Sequence, residues 1–308
     1  MDILTEVVAS MRTGRPRSAR TECRAPWGLR FPEGKGTGFH VVMSGTCWLV
    51  TPDGTSTALS PGDIVFLRDG AEHVLTDVPG SPVVEFAPVR ADPSSPIGQI
   101  TVDGPGARTS LLCGAYQLDR EQPHPLIADL PDVIHLSPHR GRHPALRSAI
   151  DMLGAELEQP RPGSEGIVAE LIDLLLLYIL RAWYDDQPAD ATAGWAAALT
   201  DPAIAPALRA IHSAPGRRWT VEDLGESVGL SRAAFARRFT ALVGEPPLAY
   251  LTRWRMTTAA TLLRQSDTSI GSVGEQVGYG SEFAFAKAFK RAHGLPPGQY
   301  RRQLRPVA

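Results

Sequence analysis

Four side chains in the first 120 residues, His40, Cys47, His73 and Cys113, have the chemistry of metal ligands. Imidazole nitrogen and thiolate sulfur are what zinc takes in tetrahedral sites. Their spacing follows no standard zinc pattern. The set reads either as a zinc site or, with Trp48 in place of the thiols, as the lining of a pocket for a small organic effector. A second chemistry lies in SRAAFARRF, residues 231–239, where Arg232, Arg237 and Arg238 surround Phe235 and Phe239. Residues four apart share a helix face, so the two rings turn inward and Arg232, Ala233, Ala236 and Arg237 occupy another face. Guanidinium groups hold phosphate and, bidentately, guanine, and alanines let such a helix seat deep in a groove. Ser231 is placed to cap the helix.

The first set must be positioned by strands. FHVVM (39–43), Ser44-Gly45 and TCWLV (46–50) read as a hairpin with a two-residue loop in which Val42 faces Cys47. Strand alternation then puts His40, Val42 and Cys47 on one face. GDIVFL (62–67), VVEFAPV (83–89) and SLLCGAY (110–116) continue the pattern, and Cys113 can reach the same interior. Many short strands at close spacing predict a small sandwich or barrel. The opening MDILTEVVASM (1–11) reads as an amphipathic helix or an arm capping a strand. LPDVIHLSP (130–138) is the last extended run. Residues 143–159 carry apolar positions at 146, 150, 153 and 157, a helical stripe.

The greasiest segment, IVAELIDLLLLYILRAW (167–183), is 17 residues long and carries Glu170 and Asp173. A membrane span needs about 20 apolar residues with few charges, so a buried helix is expected and no membrane partner. Its apolar surface is broader than one packing face needs, which suits a homodimer; burial among helices of its own chain is the alternative. No apolar run follows a basic start, so no signal peptide is expected. Three cysteines (Cys23, Cys47, Cys113) fit a reducing cytoplasm better than a disulfide framework. DDQPADATAG (185–194) has the composition of a linker.

The net charge of −2 hides a division. Residues 201–308 hold 15 Lys and Arg against 8 Asp and Glu, and residues 1–200 hold 16 against 25. A basic end on an acidic chain suggests a nucleic-acid-binding module. The stretch around Arg237 also recurs fifty residues on, as SEFAFAKAF (281–289). Ser231 matches Ser281, Phe235 matches Phe285, Phe239 matches Phe289, Arg237 matches Lys287 and Tyr250 matches Tyr300. Each copy reads as helix, tight turn, helix. Gly225 and Gly274 fall where the two helices must pack closely. PLAYLTRWRMTTAATLLRQ (247–265) has helical spacing without a breaker, so one helix joins the copies. In a helix-turn-helix the second helix enters the major groove.

Residues 204–305 resemble the DNA-binding domain of AraC/XylS-family transcription regulators. The resemblance rests on WTVEDL (219–224), GLSRAAFARRF (229–239), GEPPLAYL (244–251), WRMTTAATLL (254–263), VGYGSEFAFAKAFKR (277–291) and GLPPGQYR (294–301). It implies base contacts from Ala233, Ala236 and Arg237, and from Phe283, Ala286 and Lys287. Arg232 and Lys290 are expected on phosphate, and Ser281, at the start of the second recognition helix, is expected among the DNA-binding residues. LSPGDIVFLRDGAEH (59–73) resembles the second cupin motif, with His73 as its histidine. The first motif is reduced to His40, without an HxH pair or a following glutamate, which counts against a cupin dioxygenase or isomerase.

The expected architecture is α+β with two domains: a cupin-like barrel (1–140), a helical packing or dimerisation segment (141–184), a linker (185–203) and an all-α tandem helix-turn-helix domain (204–308). The expected function is a cytoplasmic regulator of transcription, not an enzyme, that binds double-stranded operator DNA. The resemblance implies an activator working with RNA polymerase, controlled by a small effector or a metal in the cupin domain. A metal or redox sensor using the His/Cys set is the alternative signal.

Overall fold

A computed structural model describes residues 2–14, 16–34, 36–87, 89, 97–118, 124–137, 142–159, 161–187 and 194–304. The chain forms two compact units. One comprises Arg12–Arg120 and Leu130–Asp186; the other comprises Met1–Met11, Glu121–Asp129 and Gln187–Ala308.

The first unit is built on two sheets. One has six strands in the order β11 (Val133–Leu136), β6 (Ile64–Leu67), β3 (Thr37–Ser44), β10 (Arg108–Tyr116), β1 (Arg17–Arg24), β9 (Ile97–Val102). The other has five, β5 (Ser56–Leu59), β4 (Cys47–Val50), β7 (His73–Thr76), β2 (Gly28–Phe31), β8 (Val84–Glu85). Side chains from both sheets fill the space between them, including Trp27, Leu29, Val42, Leu49, Val65, Leu75, Leu111 and the three cysteines. The expected hairpin is not formed. β3 pairs with β10 and β6, while β4 pairs with β5 and β7. The chain crosses from one sheet to the other at Gly45, whose φ of 76° is open to glycine at no steric cost. Val42 therefore does not pair with Cys47, although both point into the shared core.

The other face of the six-stranded sheet is also buried. Phe39, Val41, Ile64 and Phe66 are essentially inaccessible. On this side Tyr116 donates its hydroxyl proton to the carbonyl of Ile172 (2.7 Å) in α4 (Ser164–Asp185). α4 packs on α3 (Pro144–Glu158) and touches β11. The segment expected as a separate element (141–184) is thus part of the sheet unit, because the sheet's second apolar face needs a cover.

The second unit is helical: α5 (Gly194–Thr200), α6 (Ile204–Ser213), α7 (Val221–Glu226), α8 (Arg232–Val243), α9 (Pro247–Gln265), α10 (Ile270–Gln276), α11 (Glu282–His293) and α12 (Pro297–Leu304). The expected linker (185–203) is shorter than its composition implied. α4 runs through Asp185, and α5 packs on α6 and α8 with Trp195 buried. Residues 188–193 of that stretch lie outside the described residues. Two N-terminal pieces also belong here rather than with the sheets. They are α1 (Ile3–Met11), in contact with α6 and α9, and the segment around α2 (Pro125–Ala128). α1 buries Ile3, Leu4, Val7 and Val8, so it is a helix, as one of the two readings had it.

Candidate functional site

The two helix-turn-helix units have one skeleton. α7 starts with a capping box at Thr220 and Asp223, and α10 with Ser269 accepting from the Ser272 amide. A chain reversal at Gly229 or Gly278, both at positive φ, leads to the second helix. Ser231 and Ser281 cap α8 and α11 by accepting from the amides of Ala234 (3.3 Å) and Ala284 (3.2 Å). Phe235, Phe239, Phe285 and Phe289 are fully buried. A Cβ on Gly225 would lie 2.8 Å from the Leu230 carbonyl, and one on Gly274 would lie 3.0 Å from the Phe285 Cβ. Both glycines are therefore what lets the second helix close on the first. Their helix-propensity cost of about 1 kcal/mol is offset by that packing.

The outward faces of α8 and α11 carry the expected residues. Arg232, Ala233 and Arg237 are exposed, and so are Ser281, Phe283, Lys287 and Lys290; Ala236 and Ala286 are half-buried. Phe283 is 81% exposed, the most exposed of the large apolar side chains described. Arg237 and Lys287 have no ion-pair partner among the described residues. Arg232 meets Glu222 (3.1 Å) at an exposed position. Arg238 is different: its Nε and Nη2 both donate to Asp201 (2.9 and 2.6 Å), which ties α8 to the turn before α6. It is an anchor of the scaffold. α9 spans 19 residues, about 28 Å at 1.5 Å per residue, and joins the two units without interruption.

In the sheet unit a cavity of about 320 Å³ opens between Arg17–Ala19 of β1, Cys113–Ala115 of β10, Phe31, Leu67, Phe86 and the His40–His73 pair. β3 and β10 place His40 directly across from Cys113. The two imidazoles meet Nε2 to Nε2 at 2.7 Å. His73 Nδ1 lies 2.7 Å from the Ala71 carbonyl, so it must be the protonated nitrogen and donate there. His73 Nε2 is then an acceptor and His40 Nε2–H the donor. That leaves His40 Nδ1 as a buried lone pair without a partner. Burial lowers the pKa of both rings, and each histidine stays neutral. Phe31 stacks on His73 at 4.7 Å and meets His40 edge-on.

Trp48 is not in this cavity. It is one residue from Cys47, and strand alternation turns it outward while Cys47 and Leu49 turn inward. The four-residue zinc set is not assembled either. Among the described residues no three His, Cys, Asp or Glu side chains are grouped to hold a metal. Cys47 sits on the other sheet from His40 and Cys113 and does not line the cavity. Burial pushes its thiol up to about 12 and raises that of Cys113 also. These are neutral, packed thiols, the common state of a buried free cysteine. What the sequence reading missed is the apolar wall: β1 (RSARTECR) reads as polar, yet Ala19, in step with Thr21 and Cys23, turns inward and lines the cavity.

A sheet-built unit with a cavity and a tandem helix-turn-helix unit in one chain define a helix-turn-helix type of transcription regulator. The cupin family profile matches residues 2–185 and a helix-turn-helix domain profile matches residues 224–303. An AraC-like transcription regulator of Streptomyces lividans is 34% identical over 98% of both chains. Another, of Streptomyces antibioticus, is 32% identical over 99% of this chain and 100% of its own. The solved C-terminal domain of AraT, a response regulator from Geobacillus stearothermophilus, is 31% identical over 35% of this chain and 89% of its own, at a TM-score of 0.33. The chain belongs to the AraC family of transcription regulators, with an N-terminal cupin domain and a DNA-binding helix-turn-helix domain. No helix among the described residues is long and apolar enough to cross a membrane.

Proposed function

We propose that this regulator is controlled by a small, mostly apolar organic molecule bound in the cupin cavity. The observation that carries this is the His40–His73 pair. Apart from Arg17 and Ser18 the wall is largely carbon, and the pair includes a buried nitrogen left unpaired. Buried polar groups without partners are rare in folded chains and cluster where function needs them. A ligand with an apolar body and one hydrogen-bonding group matches this wall. The zinc reading has only two converging ligands in its favour, and the thiol-sensor reading relies on thiols that burial keeps neutral.

On DNA, Arg237 and Lys287 read bases, Phe283 packs on thymine methyl groups, and Arg232 and Lys290 hold phosphate. Ser281 serves the second helix as its cap. The chain acts in the cytoplasm as an activator working through RNA polymerase, as the family resemblance implies, and has no catalytic role. The half-buried leucines of α4 suit a homodimer. The test is a thermal-shift screen of small weakly polar compounds against the wild type and Ala19→Leu, which fills the cavity. Hits lost in Ala19→Leu that also change operator footprints support the reading. Hits unaffected by Ala19→Leu, or without effect on DNA binding, refute it.

A further inference from the structure

The DNA-binding unit is held at one corner by a chain of hydrogen bonds whose direction can be worked out. The Leu126 amide donates to His124 Nδ1 (3.2 Å), so His124 carries its proton on Nε2. That Nε2–H faces the Tyr250 hydroxyl at 3.2 Å. At the other end His212 Nδ1 lies 2.8 Å from the Glu6 carboxylate and must donate to it. His212 Nε2 is then an acceptor, and the Tyr250 hydroxyl, 2.5 Å away, donates to it. His124, Tyr250 and His212 are 1%, 0% and 5% exposed. The rings pack tightly, with His212 stacked on Trp254 at 3.8 Å and Trp195 edge-on to His124 at 5.0 Å. The chain joins three parts of the sequence: α1 through Glu6, residues 124–129 through His124, and the helices α6 and α9. Two more bonds tie α1 to α9, from Thr261 Oγ1 (3.3 Å) and Arg264 Nη2 (2.8 Å) to the Ser10 carbonyl.

The two N-terminal pieces held in this way are direct continuations of the strands that line the cavity. α1 ends at Met11 and β1 begins at Arg17; β10 ends at Tyr116 and His124 follows eight residues on. As they leave the cavity the two strands stay paired. Arg17 is opposite Ala115, the Thr13 amide donates to the Gln117 carbonyl (2.9 Å), and Arg12 bridges Leu118. Arg12 is fixed to Asp173 of α4 at 2.6 Å. One two-stranded ladder therefore runs from the cavity wall at residues 17–19 and 113–115 to residues 12–13 and 117–118. Its ends continue into both pieces of the latch.

We propose that the His124–Tyr250–His212–Glu6 chain is a latch through which the state of the cupin cavity is transmitted to the DNA-binding unit, the β1–β10 ladder being the transmitting element. A change of spacing between β1 and β10 at the cavity pulls on α1 and on residues 124–129 together. A directional polar chain suits this role better than apolar packing, since it holds in one geometry and releases in others. The proposal rests on the cavity being the sensory site for its meaning in the cell, but its test needs no ligand.

The test is hydrogen exchange of the full chain, read segment by segment, for the wild type, Tyr250→Phe and Ala19→Leu. Tyr250→Phe keeps the ring and removes the central hydroxyl. Ala19→Leu crowds the cavity at the far end of the ladder. Both are expected to raise exchange in residues 3–11 and 124–129 by about tenfold or more, with α8 and α11 unchanged. By linkage, a cavity change that loosens the latch implies that loosening the latch changes the cavity, so Tyr250→Phe should also raise exchange at 113–115. The proposal fails if Ala19→Leu alters only the strands around the cavity. It fails equally if Tyr250→Phe raises exchange uniformly through 194–304, which would make Tyr250 an ordinary core residue. Transmission without compound hits in the thermal-shift screen would count against the ligand reading alone, and hits without transmission against the latch alone.

Discussion

Tyr250 and Tyr300 hold matching places in the two helix-turn-helix repeats, yet they are used differently. Tyr250 is completely buried between two histidines, with the Arg253 guanidinium 4.9 Å above its ring. Tyr300 is 9% exposed and accepts from Arg264 (3.0 Å), within a cluster that draws on α9, α10, α11 and α12. The first repeat thus sits where α1, residues 124–129, α5 and α6 reach it; the second is tied to α1 through Arg264, which also donates to the Ser10 carbonyl. The recognition helices differ in the same sense. α8 presents two arginines, while α11 presents Glu282, Phe283 and Lys287. On the proposed reading, the first unit is the one under control and carries the arginine suited to guanine, while the second presents a more weakly polar face.

That contrast can be broken in several ways. The largest effects come from the shared core. Phe235→Ala and Phe285→Ala should each cost about 3–5 kcal/mol in denaturant unfolding, since both rings are fully buried. If the units are as different as described, Phe235→Ala also loosens α1 by hydrogen exchange and Phe285→Ala does not. Next, Arg237→Ala should weaken specific binding by about 1–3 kcal/mol and relax preference at one base pair. Lys290→Ala, a phosphate contact, should weaken all sequences evenly and lower the salt slope by about one. Equal loss on every sequence for Arg237→Ala would remove its base-reading role. Replacing the caps, Ser231→Ala and Ser281→Ala, should cost about 1 kcal/mol each, measured by thermal unfolding. Equal losses would confirm that the skeletons match even where the surroundings do not.

A pH slope sharpens the comparison further. Burial holds His124 and His212 below 6.5, their ordinary value; Arg253 adds to this for both, and the Glu6 carboxylate opposes it at His212. The unfolded chain therefore takes up protons near pH 6.5 that the folded chain refuses. The stability these rings confer is full above about pH 6.5 and is lost as the pH falls below it. His212→Gln should flatten that slope in melting temperatures measured from pH 7.5 to 5. An unchanged slope would place the acid sensitivity elsewhere, at His124 or at His40 and His73.

The helical half was legible because each signal there is local. Ser-x-x caps, four-residue Phe spacing and a glycine before each turn all survive reading one segment at a time. The sheet half was legible only in its apolar strands, β3, β4, β6, β8, β10 and β11. β1 was missed because Arg20, Glu22 and Arg24 mask it; in the fold Glu22 meets Arg20 (3.0 Å) and Arg108 (2.6 Å) across the ladder. The pairing of His40 with His73 was foreseen from the motif, but their contact depends on strands in different sheets, which no spacing encodes. Trp48 failed because it and Cys47, being adjacent, cannot both face inward. The grouping of α1 with residues 194–304 was beyond reach for the same reason: the partners are about two hundred residues apart.

That separation has a consequence for how the protein is made. α1 leaves the ribosome before its partners α6 and α9, which follow only after residue 204. At about 5–20 residues per second, the apolar face of Ile3, Leu4, Val7 and Val8 waits on the order of 10–40 s for its cover. Until then the helix-turn-helix unit has no complete core, so a partly synthesised chain cannot occupy an operator.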